Sequence, residues 1–174
     1  MMIRSEVEQH IEVHKYPLFV VPGIAFLALV LQKSLPVYIP RAALLELPLL
    51  VTLYFGLSRR NPNTGLLLGM CIGLVQDAMS APRVSIGLYG IAKTIVGFVA
   101  SSIGARIDVE HPLSRFFLTV ACFHLHQAVF VAIKRLLLAQ PAVLFDWNVL
   151  LAAVLNAGIA MLLFPLLDRL RKPS

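Results

Sequence analysis

Residues 65–77 read GLLLGMCIGLVQD, and this stretch places Gly65, Gly69, Gly73 and Asp77 four residues apart. Residues at this spacing share one face of an α-helix. A helix of this kind presents a stripe without side chains that leads directly to a carboxylate. Because small residues in lipid let a second backbone approach closely, the stripe predicts a helix-packing surface.

The rest of the chain is similarly apolar. Of its 174 residues, 59% are hydrophobic and 14% are charged, and the mean hydropathy is +0.83. Apolar runs recur at lengths suited to helices that cross a hydrocarbon layer of ~30 Å, without the alternation of a β-barrel. The sequence predicts an all-α integral membrane protein with one transmembrane domain. We place its six spans at about 17–33, 42–57, 64–80, 84–104, 113–134 and 147–167.

Two parts of this arrangement stay open. The second span follows Pro40 and is the shortest, so a five-span version with a re-entrant second segment is the alternative. Residues 1–15 fit an interfacial helix, because Ile3, Val7 and Ile11 share a face, and they fit a solvated tail equally well. The first apolar stretch lacks the small-residue exit of a signal peptide, so we expect it to remain as a span.

The basic residues indicate an orientation. The net charge is +6, and residues such as Arg59, Arg115 and Arg169 fall at span ends that are cytoplasmic when the N-terminus is inside. This bias favours two cytoplasmic termini. The basic residues form no run with interleaved aromatics, so nucleic acid is not an expected partner. Cys71 and Cys122 lie within predicted spans and are expected to pack as free thiols.

The fourth predicted span carries a face that matches the glycine stripe. Gly90, Lys93, Gly97 and Ser101 recur on it at steps of three or four residues. A brief loop joins the third and fourth spans, so we expect an antiparallel hairpin with these faces in contact. A dimer interface is the alternative use of the stripe.

Three charged residues lie about one helical turn or more inside the ends of the predicted spans. A charge near the bilayer centre costs on the order of 2.5–3.5 kcal/mol on insertion scales and is rarely left unpaired. We expect Lys93 to pair with Asp77, with Glu46 close enough to share it, in the outer half of the bundle. In the alternative, the two carboxylates face the headgroups and Lys93 extends alone toward the surface.

A second polar group is expected near the middle of the membrane. His124 and Gln127 share a face of the fifth span and could bond to Asn156 on the sixth, whereas His126 points elsewhere. Helix association is the simpler role, and a proton relay is the alternative. The two imidazoles have no carboxylate or thiolate at ligand spacing, and no nucleotide-binding or hydrolase motif occurs. The sequence therefore predicts no metal, no cofactor and no enzymatic activity.

The order of several motifs adds a resemblance. LQKSLP at 31–36 precedes TGLLLG at 64–69 and GLVQD at 73–77, Gly87 and Gly97 follow, and the chain closes on the basic tail LLDRLRK. This order resembles the rod-shape-determining protein MreD family of bacterial cell-wall elongation over nearly the whole chain. Lys93 is not a residue associated with that family.

The resemblance implies a fold and a set of partners. It implies a compact bundle in the bacterial inner membrane, similar to the substrate-binding subunits of energy-coupling-factor transporters. It also implies a non-enzymatic scaffold of the elongasome that supports rod cell shape and peptidoglycan synthesis. The implied partners are MreC, which has a single span, the RodA–transpeptidase complex, RodZ and MreB.

Docking residues and a competing function are less defined. Phe116, Phe117, Phe123 and Phe130 of the fifth span are candidate partner-binding residues, although such aromatic stripes more often pack within a bundle or against lipid. The competing function is a small-solute, vitamin-type transporter subunit, in which Glu46, Asp77 and Lys93 would line an outward-facing pocket.

Overall fold

The computed structural model describes residues 16–17, 19–80, 85–106, 109 and 111–170. These residues form six α-helices and one short 3-10 helix, and they contain no strand. The prediction of an all-α fold is confirmed. The predicted interfacial helix or tail at 1–15 lies outside the described residues. The helices are α1 (Val20–Tyr38), the 3-10 helix (Pro40–Leu44), α2 (Leu47–Arg59), α3 (Pro62–Ser80), α4 (Leu88–Gly104), α5 (Pro112–Leu136) and α6 (Trp147–Asp168).

Three helices are long and apolar enough to cross a membrane. They are α1, α5 and α6, with 19, 25 and 22 residues and mean hydropathies of 1.7, 1.8 and 2.3. Helices α2 and α4 are apolar but shorter. At a rise of about 1.5 Å per residue, the 13 residues of α2 extend over about 20 Å. By length and composition, α1, α5 and α6 are the helices of a membrane protein.

Prolines move two helix boundaries away from their expected positions. Helix α1 continues through Pro36 to Tyr38 instead of ending near residue 33, and it stops where Ile39 is extended, with φ −129°. The residue before a proline avoids the α conformation, so Pro40 ends the helix. The segment from Pro40 then forms the 3-10 helix, and α2 begins at 47 instead of 42.

Helix α2 lies at the centre of the fold. Residues 48–58 are all buried, and α2 packs against each of the other five α-helices. Its Tyr54 and Phe55 rings contact each other, and the Tyr54 ring also contacts Phe164 of α6. The outer surface carries large apolar side chains, including Phe26, 66% exposed, and Leu162, 77% exposed. Apolar patches on this scale need a non-aqueous environment or a partner.

Candidate functional site: a buried polar cluster

Helices α3 and α4 approach backbone to backbone along the glycine stripe. A Cβ atom on Gly69 would lie 2.6 Å from the carbonyl carbon of Lys93, and one on Gly73 would lie 2.6 Å from Cα of Gly90. Non-bonded carbon atoms pack at about 3.5–4.0 Å, so side chains here would force the backbones apart. The same close approach occurs between Gly65 and Gly97.

Asp77, at the end of the stripe, caps the beginning of α4. Its Oδ2 accepts hydrogen bonds from the backbone N–H groups of Gly87 and Gly90, each at 2.9 Å, and its Oδ1 accepts one from Tyr89 at 3.0 Å. The first N–H groups of a helix have no partner within the helix, and the helix dipole favours a negative charge there. Gly87 adopts φ +104°, a conformation that favours glycine. The carboxylate therefore joins the two helices and is fully buried.

Lys93 forms its ion pair with Glu46, the residue that was expected to share it, and the expected ion pair between Lys93 and Asp77 is wrong. The fully buried Lys93 Nζ lies 3.3 Å from Glu46 Oε2 and 3.4 Å from His126 Nε2. It also lies 4.7 Å from the centre of the Tyr89 ring. Because Asp77 is opposite the first turn of α4, its oxygens meet backbone N–H groups before the lysine side chain.

Gln76 completes the group around Lys93. Its Nε2 lies 3.4 Å from Glu46 Oε2, while its buried Oε1 has no hydrogen-bond partner among the described residues. His126 was expected to point away from the polar groups of the bundle. In the structure its ring stacks on Tyr89, with 6.1 Å between the centroids, so that expectation is wrong. We define the Lys93 cluster as Glu46, Gln76, Tyr89, Lys93 and His126.

Two amide side chains hold Glu46 in place. Asn156 Oδ1 accepts from the backbone N–H of Glu46 at 2.8 Å, and its Nδ2 donates to the carbonyl of Leu44 at 2.9 Å. From the opposite side, Gln32 of α1 accepts from the backbone N–H of Leu47 at 2.9 Å. The link between the 3-10 helix and α2 is therefore fixed by α1 and α6. Gln32 belongs to the LQKSLP stretch at 31–36, but nothing in the sequence identified the backbone groups to which it bonds.

The expected bonds from His124 and Gln127 to Asn156 are also wrong. His124 Nδ1 lies 2.9 Å from the carbonyl of Val120 on its own helix. Gln127 Nε2 donates to the carbonyl of Val143 at 3.2 Å. The side-chain amide of Asn156 is already hydrogen-bonded to the backbone near residue 46. Knowing which residues share a helix face was therefore not enough to identify its partners.

A second polar network, missed by the sequence reasoning, lies at the opposite end of the bundle. Arg115 Nη2 lies 2.8 Å from Asp168 Oδ2, and Arg115 Nε donates to the carbonyl of Val109 at 2.9 Å. The hydroxyl of Tyr54 donates to Asp168 Oδ1, and the hydroxyl of Tyr16 donates to that of Tyr54. In the sequence, both charged residues are simply charges at span ends.

The four candidate docking phenylalanines have different environments. Phe117 is 66% exposed, whereas Phe116 and Phe130 are partly buried. Phe123 is 6% exposed and belongs to the core, so its proposed role on a free surface is wrong. One helix face cannot expose all four rings, because residues 116 and 117 lie about 100° apart around the axis.

An open cavity of about 180 Å³ lies beside the Lys93 cluster. It is bounded by the 3-10 helix, the start of α2, and one side each of α4, α5 and α6. Glu46 is the one expected pocket residue that lines it, and the fully buried Asp77 and Lys93 do not. Its lining residues include Glu46, Tyr89, His126, Gln127, Asn148 and Phe130.

A separate groove of about 350 Å³ lies on the outer side of α3 and α4. Its lining is almost entirely apolar. Because some of the lining residues are glycines, the helix backbone itself forms part of the groove's floor. The lining residues are Met70, Leu74, Gly87, Gly90, Ile91, Thr94 and Ile95.

Comparison with known proteins gives no relative on which to base an identity. Within the described ranges, no group of three or more His, Cys, Asp or Glu side chains could hold a metal ion, and Cys71 and Cys122 are free thiols. No known family, curated protein or solved structure matches the chain. The fold therefore defines the class, an all-helical protein with three helices able to cross a membrane.

Proposed function

We propose that this chain is a non-enzymatic, MreD-like scaffold of the bacterial inner membrane that binds MreC and supports rod cell shape and lateral peptidoglycan synthesis. In this proposal all six helices form one membrane-embedded bundle, similar to the substrate-binding subunits of energy-coupling-factor transporters. Both termini face the cytoplasm. RodA with its transpeptidase, RodZ and MreB are the further partners.

The observation that carries the proposal is that the motifs behind the resemblance meet in one structural unit. Gly69 and Gly73, from the third-span motif, contact the backbone of α4. Asp77, which ends that motif, binds the N–H of Gly87. Two helices packed this closely form a rigid surface on which a partner helix can dock. Docking of this kind requires no catalytic group.

The groove on α3 and α4 is the docking surface that this function favours. Its exposed aliphatic side chains, including Ile91 at 45% and Ile95 at 37%, surround a floor that contains Gly90. In lipid, helices associate through close packing at small residues. The single transmembrane helix of MreC is the occupant that we assign to this groove.

Photo-crosslinking in a complex with MreC tests this assignment. The full chain is co-expressed with MreC and carries a photoreactive phenylalanine analogue at Ile91 or Ile95. Leu162, which is 77% exposed on α6, is the matched control position. We expect MreC to co-purify in mild detergent and to form adducts from the two groove positions but not from residue 162.

Two results would contradict these assignments separately. Failure of MreC to co-purify under any mild condition would refute the scaffold function. Stable co-purification with adducts only from residue 162 would refute the groove while leaving the scaffold intact.

The cavity beside Glu46 is the observation that favours the solute-binding alternative. Pockets for drug-sized ligands usually enclose about 300–1,000 Å³. At about 180 Å³, this cavity is too small to enclose a vitamin. A vitamin that raises the unfolding temperature strongly in a thermal-shift panel would nevertheless establish the alternative, because ligands that bind only the folded state stabilise it.

A further inference from the structure

The cavity beside the Lys93 cluster exists because α2 begins deep inside the bundle. Glu46, directly before α2, bonds to Asn156, which is nine residues beyond the first residue of α6. At about 1.5 Å per residue, this contact lies roughly 13 Å from the beginning of α6. The space above the start of α2 is filled only partly by the 3-10 helix, and the remainder forms the cavity.

Glu46, at the cavity wall, has one carboxylate oxygen that no described residue engages. Its Oε2 is engaged by Lys93 and Gln76, whereas no described residue donates to Oε1. The side chain is 18% exposed and lines the cavity. An ionised carboxylate can accept about four hydrogen bonds, so Oε1 is available to a donor that enters from the cavity.

The charge around the cavity favours a cation. Glu46 is the one charged side chain among the described residues that line the cavity, and this lining contains no lysine or arginine. Lys93 is fully buried and already faces Glu46, His126 and the Tyr89 ring. It therefore has no free donor for an incoming anion.

The other walls suit a small polar molecule. The rings of Tyr89 and Phe130 lie 5.1 Å apart and form aromatic walls. Lys93 Nζ lies 4.7 Å from the centre of the Tyr89 ring, and Lys134 Nζ lies 5.4 Å from the centre of the Phe130 ring, so both rings already face an ammonium group. The His126 ring lines the cavity, and its Nε2 lies 3.4 Å from Lys93 Nζ. Gln127 and Asn148 add amide groups to the lining.

We propose that this cavity binds a primary ammonium group, with Glu46 Oε1 as its counter-ion and the rings of Tyr89 and Phe130 as its walls. The ammonium belongs to a small soluble amine or to an ethanolamine lipid headgroup. A quaternary ammonium has no N–H to donate to Oε1, so the site discriminates between ethanolamine and choline compounds.

Binding of four matched probes to the purified full chain tests the proposal and separates the two sources. Ethanolamine and choline are the soluble pair, and phosphatidylethanolamine and phosphatidylcholine with identical acyl chains in nanodiscs are the lipid pair. We expect a preference of at least about tenfold for the primary ammonium compound in at least one pair, which corresponds to about 1.4 kcal/mol and is within what one charge-assisted hydrogen bond supplies. A preference in the soluble pair identifies a solute, and a preference in the lipid pair alone identifies a headgroup. Equal binding within both pairs overturns the proposal.

Two sets of variants locate the binding. The double variant Glu46→Gln with Lys93→Met removes the carboxylate without leaving a buried unpaired lysine, and it should lose the preference. Val149→Phe should fill the cavity, because Val149 lines it, whereas Val154→Phe on the exposed side of α6 is the matched control. Loss of the preference in Val149→Phe, with the preference retained in the control Val154→Phe, supports the site. A preference retained in both the double variant and Val149→Phe overturns it. Crosslinking to MreC should be unchanged by Val149→Phe, so the two proposals fail separately.

Discussion

A single methyl group added to Gly69 tests the backbone contact between α3 and α4. Away from tertiary contacts, Gly→Ala in a helix stabilises by about 1 kcal/mol through propensity. At Gly69 the new Cβ would lie 2.6 Å from the carbonyl carbon of Lys93, and a backbone atom cannot rotate away as a side chain can. Overpacking of this kind costs about 1–3 kcal/mol, so Gly69→Ala should be destabilising overall.

Gly158 provides the matched control for this substitution. It lies in α6, and a Cβ atom there would meet nothing within 4 Å. We expect Gly158→Ala to leave the unfolding temperature unchanged or to raise it. For a chain of this length, 1 kcal/mol shifts that temperature by about 2–4 °C in reversible two-state unfolding.

Thermal unfolding of the full chain in one detergent compares the two variants. We expect Gly69→Ala to unfold several degrees below Gly158→Ala, with a similar helical circular dichroism signal before melting. Indistinguishable melting temperatures would refute the close approach of α3 and α4. Gly90→Ala should be milder than Gly69→Ala, because its nearest obstacle is the movable end of Leu74 at 2.9 Å.

Three further predictions concern the buried charges and are also measured by thermal unfolding. Asp77→Leu should lower the melting temperature more than Asp77→Asn, because an amide oxygen can still accept from α4; equal losses would contradict the cap. Glu46→Gln should cost about 3–5 kcal/mol by leaving the buried Lys93 without its carboxylate, and adding Lys93→Met should recover much of this. No recovery would contradict the ion pair. Arg115→Met should cost roughly 1–3 kcal/mol of stability, a loss that the partial exposure of Asp168 moderates. Adding Asp168→Asn to the same chain should reduce the loss. A loss that stays the same would contradict this ion pair.

Local spacing was sufficient for some features and insufficient for others. The four-residue spacing of Gly65, Gly69 and Gly73 is a property of one helix, so the sequence alone could define its small-residue face. The partner of Lys93 depends on how α2 is rotated against α4, and Glu46 is 47 residues away along the chain. No local pattern contains that rotation.

The error at Asp77 arose from one turn of helix. With α4 expected to begin near residue 84, the unpaired N–H groups of its first turn would lie away from Asp77, and a lysine would be the nearest donor. The helix begins at Leu88, so those N–H groups meet the carboxylate instead. A boundary error of four residues therefore changed a helix cap into a predicted ion pair.

The roles of Gln32 and Asn156 follow from a requirement that acts on the backbone. A non-helical link such as residues 45–46 leaves backbone N–H and C=O groups without partners in a helix, and buried groups of this kind need other hydrogen-bond partners. Gln32 and Asn156 provide donors and acceptors to this link, at distances of 2.7–2.9 Å. A polar amide in an apolar helix can thus provide hydrogen bonds to the backbone of a non-helical link elsewhere in the bundle. The sequence around the amide does not show this role. Here that link positions Glu46 beside Lys93 and leaves the cavity above α2.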